Sequence, residues 1–194
     1  MIFSVPNLIT YGRIFIIPVL AVLIGMIGPE NSLEYNKNCG FWAMMIFIAA
    51  GVSDLIDGYY ARKYGAVSVM GKFIDPMADK LIHMTVMVML IPLGRISAWL
   101  VVVLLFREIF ISGVRAVAAG EGLVIDAAAW GKRKTAYLNV GLSGLLYYYP
   151  IFPGTRFEFS SEAVGMACVA IAFCYSIASG FVYTKSFFQV ARKI

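Results

Sequence analysis

Charge is scarce in this chain. Of 194 residues only 14% are Asp, Glu, Lys or Arg, about half of the ~25% usual for soluble globular chains. Counting Gly (18) in place of Tyr (11) takes the apolar share from 61% to about 64%, against roughly 45–50% expected of such chains. The mean hydropathy is +0.83. So few charges cannot cover a water-facing surface, which predicts that much of the exterior meets lipid. Cysteine is nearly as rare. Cys168 and Cys174 stand six apart, on different sides of a helix, and Cys39 is remote from both; a disulfide framework and a thiolate metal site are not indicated. There is one histidine, His83. No Lys or Arg precedes the first apolar run and Arg13 lies inside it, so a secretory signal is not expected and the first run stays in the mature chain.

What is present is long apolar runs. They predict an all-α, polytopic membrane protein with six spans, near Leu8–Ile27, Phe41–Tyr60, Met77–Leu93, Ala98–Ala119, Ala136–Phe152 and Ala163–Val182. Gly28-Pro29, Pro92-Leu93-Gly94 and Phe152-Pro153-Gly154 supply the breaks. Pro18 predicts a kink in the first run. The net charge of +5 comes from basic residues spread at the ends of apolar runs, a pattern of membrane topology and anionic lipid rather than nucleic acid. Arg62, Lys63, Lys132, Arg133, Lys134 and Lys185 fall on the side of the termini, while Lys37, Arg95 and Arg156 fall opposite. The positive-inside rule then puts both termini in the cytoplasm. No repeat or linker is visible, so residues 1–194 are expected to form one domain.

Carboxylates at membrane depth cost about 2.5–3.5 kcal/mol each and need a reason. Asp54 and Asp57 are i, i+3, and Asp75 and Asp79 are i, i+4; each pair shares a helical face. Four carboxylates in one pocket repel unless neutralised, and a hard divalent cation with oxygen ligands answers that need. Gly58 and Ala61 leave Asp54's face without bulk, with room for a flat group such as a nucleobase, and Arg62 can meet a phosphate. The plainer alternative is that Asp54 and Asp57 are solvated helix-end residues paired with Arg62 and Lys63.

The pattern Asp54-x2-Asp57-Gly58-x2-Ala61-Arg62-x8-Gly71-x3-Asp75-x3-Asp79 resembles the signature of the CDP-alcohol phosphotransferase family of membrane enzymes. Ser68 stands where that family often has Thr, keeping the hydroxyl. The resemblance implies a CDP-linked donor, bound Mg²⁺ or Mn²⁺ on Asp54, Asp57, Asp75 and Asp79, and Asp79 as the general base. It also implies donor contacts from Asn7, Thr10, Gly58, Ala61, Arg62, Ser68 and Gly71.

The acceptor is read from other polar residues. Arg107 and Arg115, eight apart, differ by about 80° around a helix and can face one cavity. Lys132, Arg133 and Lys134 open the fifth run. Converging cations make an anion site and guanidinium suits phosphate, so the acceptor is expected to carry a phosphate itself. Glu108 is expected to hold one arginine by a salt bridge. Alternatively, Lys132–Lys134 only anchor a helix end and Arg115 snorkels. His83 stands four residues after Asp79, as a ligand, a proton relay, or a neutral ring hydrogen-bonded in the bundle.

Arg107-Glu108-Ile109-x2-Ser112-x2-Arg115, Gly131-Lys132-x-Lys134-Thr135 and Pro6-Asn7-Leu8-Ile9-Thr10-x2-Arg13 resemble the bacterial phosphatidylglycerophosphate synthase branch of the family. That likeness implies transfer of a phosphatidyl group from CDP-diacylglycerol to sn-glycerol 3-phosphate, with Arg13, Arg107, Arg115, Lys132, Arg133 and Lys134 around the acceptor. It further implies a multi-pass protein of the bacterial cytoplasmic (inner) membrane, its active site on the cytoplasmic side, and a homodimer. The rivals are another acceptor, such as inositol phosphate or phosphatidylglycerol, and a small-ion or solute transporter. Release of CMP separates the enzyme from the transporter.

Overall fold

The computed structural model describes residues 5–64, 69–120, 129–154 and 158–191; the side chains of 5–11, 54–64, 69–76, 119, 129–130 and 185–191 lie outside the described residues. Six helices follow one another: α1 (Val5–Gly25), α2 (Leu33–Tyr64), α3 (Val69–Leu90), α4 (Ala98–Gly120), α5 (Ala129–Tyr147) and α6 (Ser161–Ala191). Between α5 and α6 a small antiparallel ribbon pairs β1 (Pro150–Ile151) with β2 (Phe159–Ser160). Apart from this ribbon the fold is all-α, and α1 continues through Pro18.

Local chemistry sets the boundaries. The Ser32 hydroxyl accepts from the Tyr35 amide and the Ser160 hydroxyl from the Ala163 amide, both at 3.2 Å. Each caps the first turn of the helix that follows. After α3 the Arg95 amide reaches back to Leu90 and the Gly94 amide to Ile91, with Gly94 at φ +68°. This is a Schellman closure, whose left-handed position suits glycine.

The core is built from helical spacings of apolar residues: Ala43, Phe47 and Ala50 on α2, Ile82, Val86 and Leu90 on α3, and Leu138, Leu142 and Leu145 on α5. Leu20 and Ile24 of α1 and Val169 and Ala172 of α6 complete it. Helix α1 lies against α2 and α3, α2 also against α5, and α6 against both α4 and α5. The α5–α6 seam is the closest. A Cβ on Gly144 would meet Gly165 Cα and the Ser161 carbonyl at 2.9 Å, and one on Gly141 would meet Val169 Cγ2 at 2.7 Å. Gly141 and Gly144 thus let α5 and α6 approach backbone to backbone within one chain.

At the far end of α5, Arg95 is buried and donates from Nη1 to the carbonyls of Leu146 (2.7 Å) and Leu145 (3.1 Å). Its guanidinium lies 4.5 Å from the centre of the Tyr148 ring. A cation at a helix carboxyl end meets the negative pole of the helix dipole. Burial lowers the Arg95 pKa, opposed by Tyr149, Tyr148 and Glu162. Tyr148 itself adopts φ +70°.

The expectation of six membrane spans is corrected. Among the described residues one helix, Ser161–Thr184, is long and apolar enough to cross a membrane, with mean hydropathy 1.9; the part of α1 whose side chains are described, Gly12–Gly25, is apolar too. Charged residues interrupt the apolar runs elsewhere, most plainly in α4. Helix α2 opens on Glu34-Tyr35-Asn36-Lys37-Asn38, α3 carries Lys72, Asp75, Asp79 and Lys80, and α4 carries Arg107, Glu108 and Arg115. Helix α5 begins with Lys132, Arg133 and Lys134. The multi-pass inner-membrane placement, with its cytoplasmic termini and active site, rested on those six spans and is overturned with them.

Candidate active site

The described part of the site is a cleft among α3, α4 and α5. Asp79, Lys80, His83, Met84 and Met87 supply one wall, Leu104, Leu105 and Glu108 a second, and Lys134, Thr135 and Leu138 the third. It encloses about 490 Å³, including solvent at its mouth. Its lining mixes apolar side chains with the charged Asp79, Lys80, Glu108 and Lys134, as suits a ligand with a polar reacting end.

Asp79 presents its carboxylate to the cleft with the side chain 40% exposed. One turn on, His83 is buried and fixed at both ring nitrogens. Nδ1 lies 2.7 Å from the Asp79 carbonyl and Nε2 2.5 Å from Asn139 Oδ1, and Phe47 meets the ring edge-on. The carbonyl only accepts, so Nδ1 carries the proton. A neutral ring then accepts at Nε2, which requires the Asn139 amide to turn its NH₂ toward it; a protonated ring would donate to Oδ1 instead. The histidine is thus bonded within the bundle, as the plainer sequence reading had it. Its partner Asn139, on α5, has no sequence signal beyond being a lone amide in an apolar run.

Opposite Asp79, Glu108 gathers the cations. Its Oε2 accepts from Lys134 Nζ at 2.5 Å and from Arg107 Nη1 at 3.2 Å. Lys134 is buried, 6% exposed. Arg107 reaches on to α6, donating from Nε to the Ser176 carbonyl (3.0 Å) and from Nη2 to Ser179 Oγ (2.6 Å). Gly180 leaves room for it: a Cβ there would lie 3.6 Å from Arg107 Cγ and Nε. Lys80 donates to Ser112 Oγ, which donates to the Glu108 carbonyl at 2.6 Å. The salt bridge expected of Glu108 is present, and it holds a lysine as well as the arginine. Lys80 and Ser112 enter the site without having been marked as site residues; Lys80's place directly after Asp79 was the available signal.

The remaining predicted residues divide. Arg13 is buried on α1, 3% exposed, and Arg115, Lys132 and Arg133 are exposed. Ser68 and the side chains of Asn7, Thr10, Asp54, Asp57, Gly58, Ala61, Arg62, Gly71 and Asp75 lie outside the described residues. Among the described residues no three His, Cys, Asp or Glu side chains gather as metal ligands. Asp79, the one described member of the carboxylate set, offers the hard oxygen that a divalent cation such as Mg²⁺ takes, and it does so inside the cleft.

Comparison with known proteins agrees with this chemistry. Residues 3–178 match the family model for CDP-alcohol phosphatidyltransferases. A CDP-diacylglycerol–glycerol-3-phosphate 3-phosphatidyltransferase of Bacillus subtilis (strain 168) is 34% identical over 190 residues, covering 93% of each chain. Proteins of the same name are 34% identical in Treponema pallidum (strain Nichols), covering 78% of this chain and 72% of that one, and 30% identical in Rickettsia typhi (strain ATCC VR-144 / Wilmington), covering 94% and 96%.

Proposed function

The chain belongs to the CDP-alcohol phosphatidyltransferase family, and from that premise we propose that it transfers a phosphatidyl group from CDP-diacylglycerol to a hydroxyl of sn-glycerol 3-phosphate. The products are phosphatidylglycerophosphate and CMP. The observation that carries the reading is the meeting of Asp79 and the cations Lys80 and Lys134 in one cleft. A carboxylate that takes a proton and cations that seat a phosphate are what a phosphorylated alcohol requires as acceptor.

In this mechanism Asp79 accepts the proton of the acceptor hydroxyl. The hydroxyl oxygen forms its bond to the phosphorus that bears the diacylglycerol, and the bond from that phosphorus to the bridging oxygen breaks, releasing CMP. Lys134, with Lys132, Arg133, Arg115 and Arg13, binds the acceptor phosphate and sets the line of attack. Arg107 supports that wall. Asn7, Thr10, Gly58, Ala61, Arg62, Ser68 and Gly71 contact the donor. Asp54, Asp57 and Asp75, with Asp79 only partly engaged so that it can take the proton, would hold Mg²⁺ or Mn²⁺. When bound, such an ion neutralises charge on the diphosphate and on the departing CMP.

The test is CMP release by purified protein given CDP-diacylglycerol and Mg²⁺, with and without glycerol 3-phosphate. Release that depends on glycerol 3-phosphate and disappears in Asp79→Asn is expected. Release with inositol phosphate alone would overturn the acceptor, and no release with any acceptor would overturn the reaction.

A further inference from the structure

We propose that Glu108 is a positioning residue for the acceptor's phosphate: it aims the Lys134 ammonium into the cleft, and Arg107 holds Glu108 in place by fastening it to α6. This rests on the proposed phosphatidyl transfer and deepens its acceptor side. Three observations lead to it. Lys134 and Arg107 share one oxygen of Glu108, Oε2. Arg107 is pinned on its other side by Ser176 and Ser179, so the guanidinium is spent on the protein rather than turned toward the cleft. Lys134, by contrast, lines the cleft while bonded to Glu108.

The arrangement suits a phosphate monoester. An ammonium has three donors and Glu108 takes one. The shared carboxylate leaves the Arg107–Glu108–Lys134 group with one net positive charge, and Lys80 on the neutral Ser112 hydroxyl adds another. A lysine stem swinging freely would lose much rotamer freedom when a ligand arrived; holding it beforehand lowers that loss. Glu108 therefore acts on acceptor binding through Lys134, without touching the acceptor.

The experiment is steady-state kinetics on Glu108→Gln, Glu108→Asp, Lys134→Ala and Glu108→Gln/Lys134→Ala, with KM read separately for glycerol 3-phosphate and CDP-diacylglycerol. Loss of a charge-assisted hydrogen bond predicts a KM for glycerol 3-phosphate raised about tenfold in Glu108→Gln, with the KM for CDP-diacylglycerol unchanged. Glu108→Asp keeps the charge one methylene farther away and should fall between wild type and Gln. In the Lys134→Ala background the Gln substitution should add nothing further. Multiplied effects in the double variant, or equal changes in both KM values, overturn the inference. If Glu108→Gln does not fold, the Asp variant decides: only the glycerol 3-phosphate KM may rise. Calorimetric binding of inorganic phosphate separates the two layers. Wild type that releases no CMP sinks the transferase reading; phosphate bound equally by wild type and the Glu108 variant sinks the positioning role.

Discussion

His83 on α3 and Asn139 on α5 meet at 2.5 Å, fifty-six residues apart in sequence, one turn beyond the carboxylate of Asp79. The contact ties the helix that bears the candidate base to the helix that bears Lys134. Replacing Asn139 by Leu leaves a buried ring nitrogen without its partner and should destabilise the fold by about 1–3 kcal/mol. The double variant His83→Phe/Asn139→Leu removes both polar groups and should recover most of that loss. Thermal unfolding of the three proteins checks it; a double variant worse than the single one would show that the pair is not acting as a pair.

Arg95 should matter to stability and not to chemistry. Arg95→Met removes two charge-assisted hydrogen bonds to the end of α5 and the contact with Tyr148, together worth about 2–4 kcal/mol. Its activity per folded molecule is expected to match wild type. Arg95→Lys keeps the charge but not the planar fork, and its melting temperature should lie between the two.

Gly144 tolerates no side chain. A Cβ at 2.9 Å from both Gly165 Cα and the Ser161 carbonyl meets backbone, which cannot turn aside. Gly144→Ala should cost about 1–3 kcal/mol and Gly144→Val more. Gly113, where nothing lies within 4 Å of the added atom, is the matched control: Gly113→Ala is expected to be neutral or slightly stabilising, since alanine favours a helix.

Chelation should abolish turnover. A divalent ion contributes several kcal/mol to phosphoryl transfer, which corresponds to a rate loss of about a hundredfold or more. Treatment with EDTA should bring CMP release to that level, and Mg²⁺ or Mn²⁺ should restore it. Turnover that survives thorough chelation would remove the ion from the mechanism.

The sequence made six helices legible because apolar runs and turn residues such as Gly94 and Gly154 are local signals. Their extents were less legible. Helix α2 begins eight residues before its apolar run because Ser32 caps a polar first turn, and α6 continues to Ala191. Counting apolar residues also gave six membrane spans where one described helix qualifies, because it gave too little weight to charges such as Arg107, Glu108 and Arg115 inside α4. At the site, Asp79 and Lys134 were named from their positions together with the family resemblance, and the Glu108 bridge from its place beside Arg107. Spacing could not assign Arg107, whose neighbours Ser176 and Ser179 stand about seventy residues downstream. Side-chain direction on one helix is periodic, but which distant helix receives it is decided by packing.

The glycine seam between α5 and α6 bears on how this protein can diverge. Lys134 rides on α5, and the anchor of Arg107 rides on α6. Because backbone touches backbone where these helices cross, their spacing is a hard stop rather than a sum of side-chain volumes. Drift at Met84 and Met87 of α3 can reshape the opposite wall while the cationic wall keeps its dimensions. A lineage exploring larger or smaller acceptors has one side of the cleft to vary, and it is the side of Asp79.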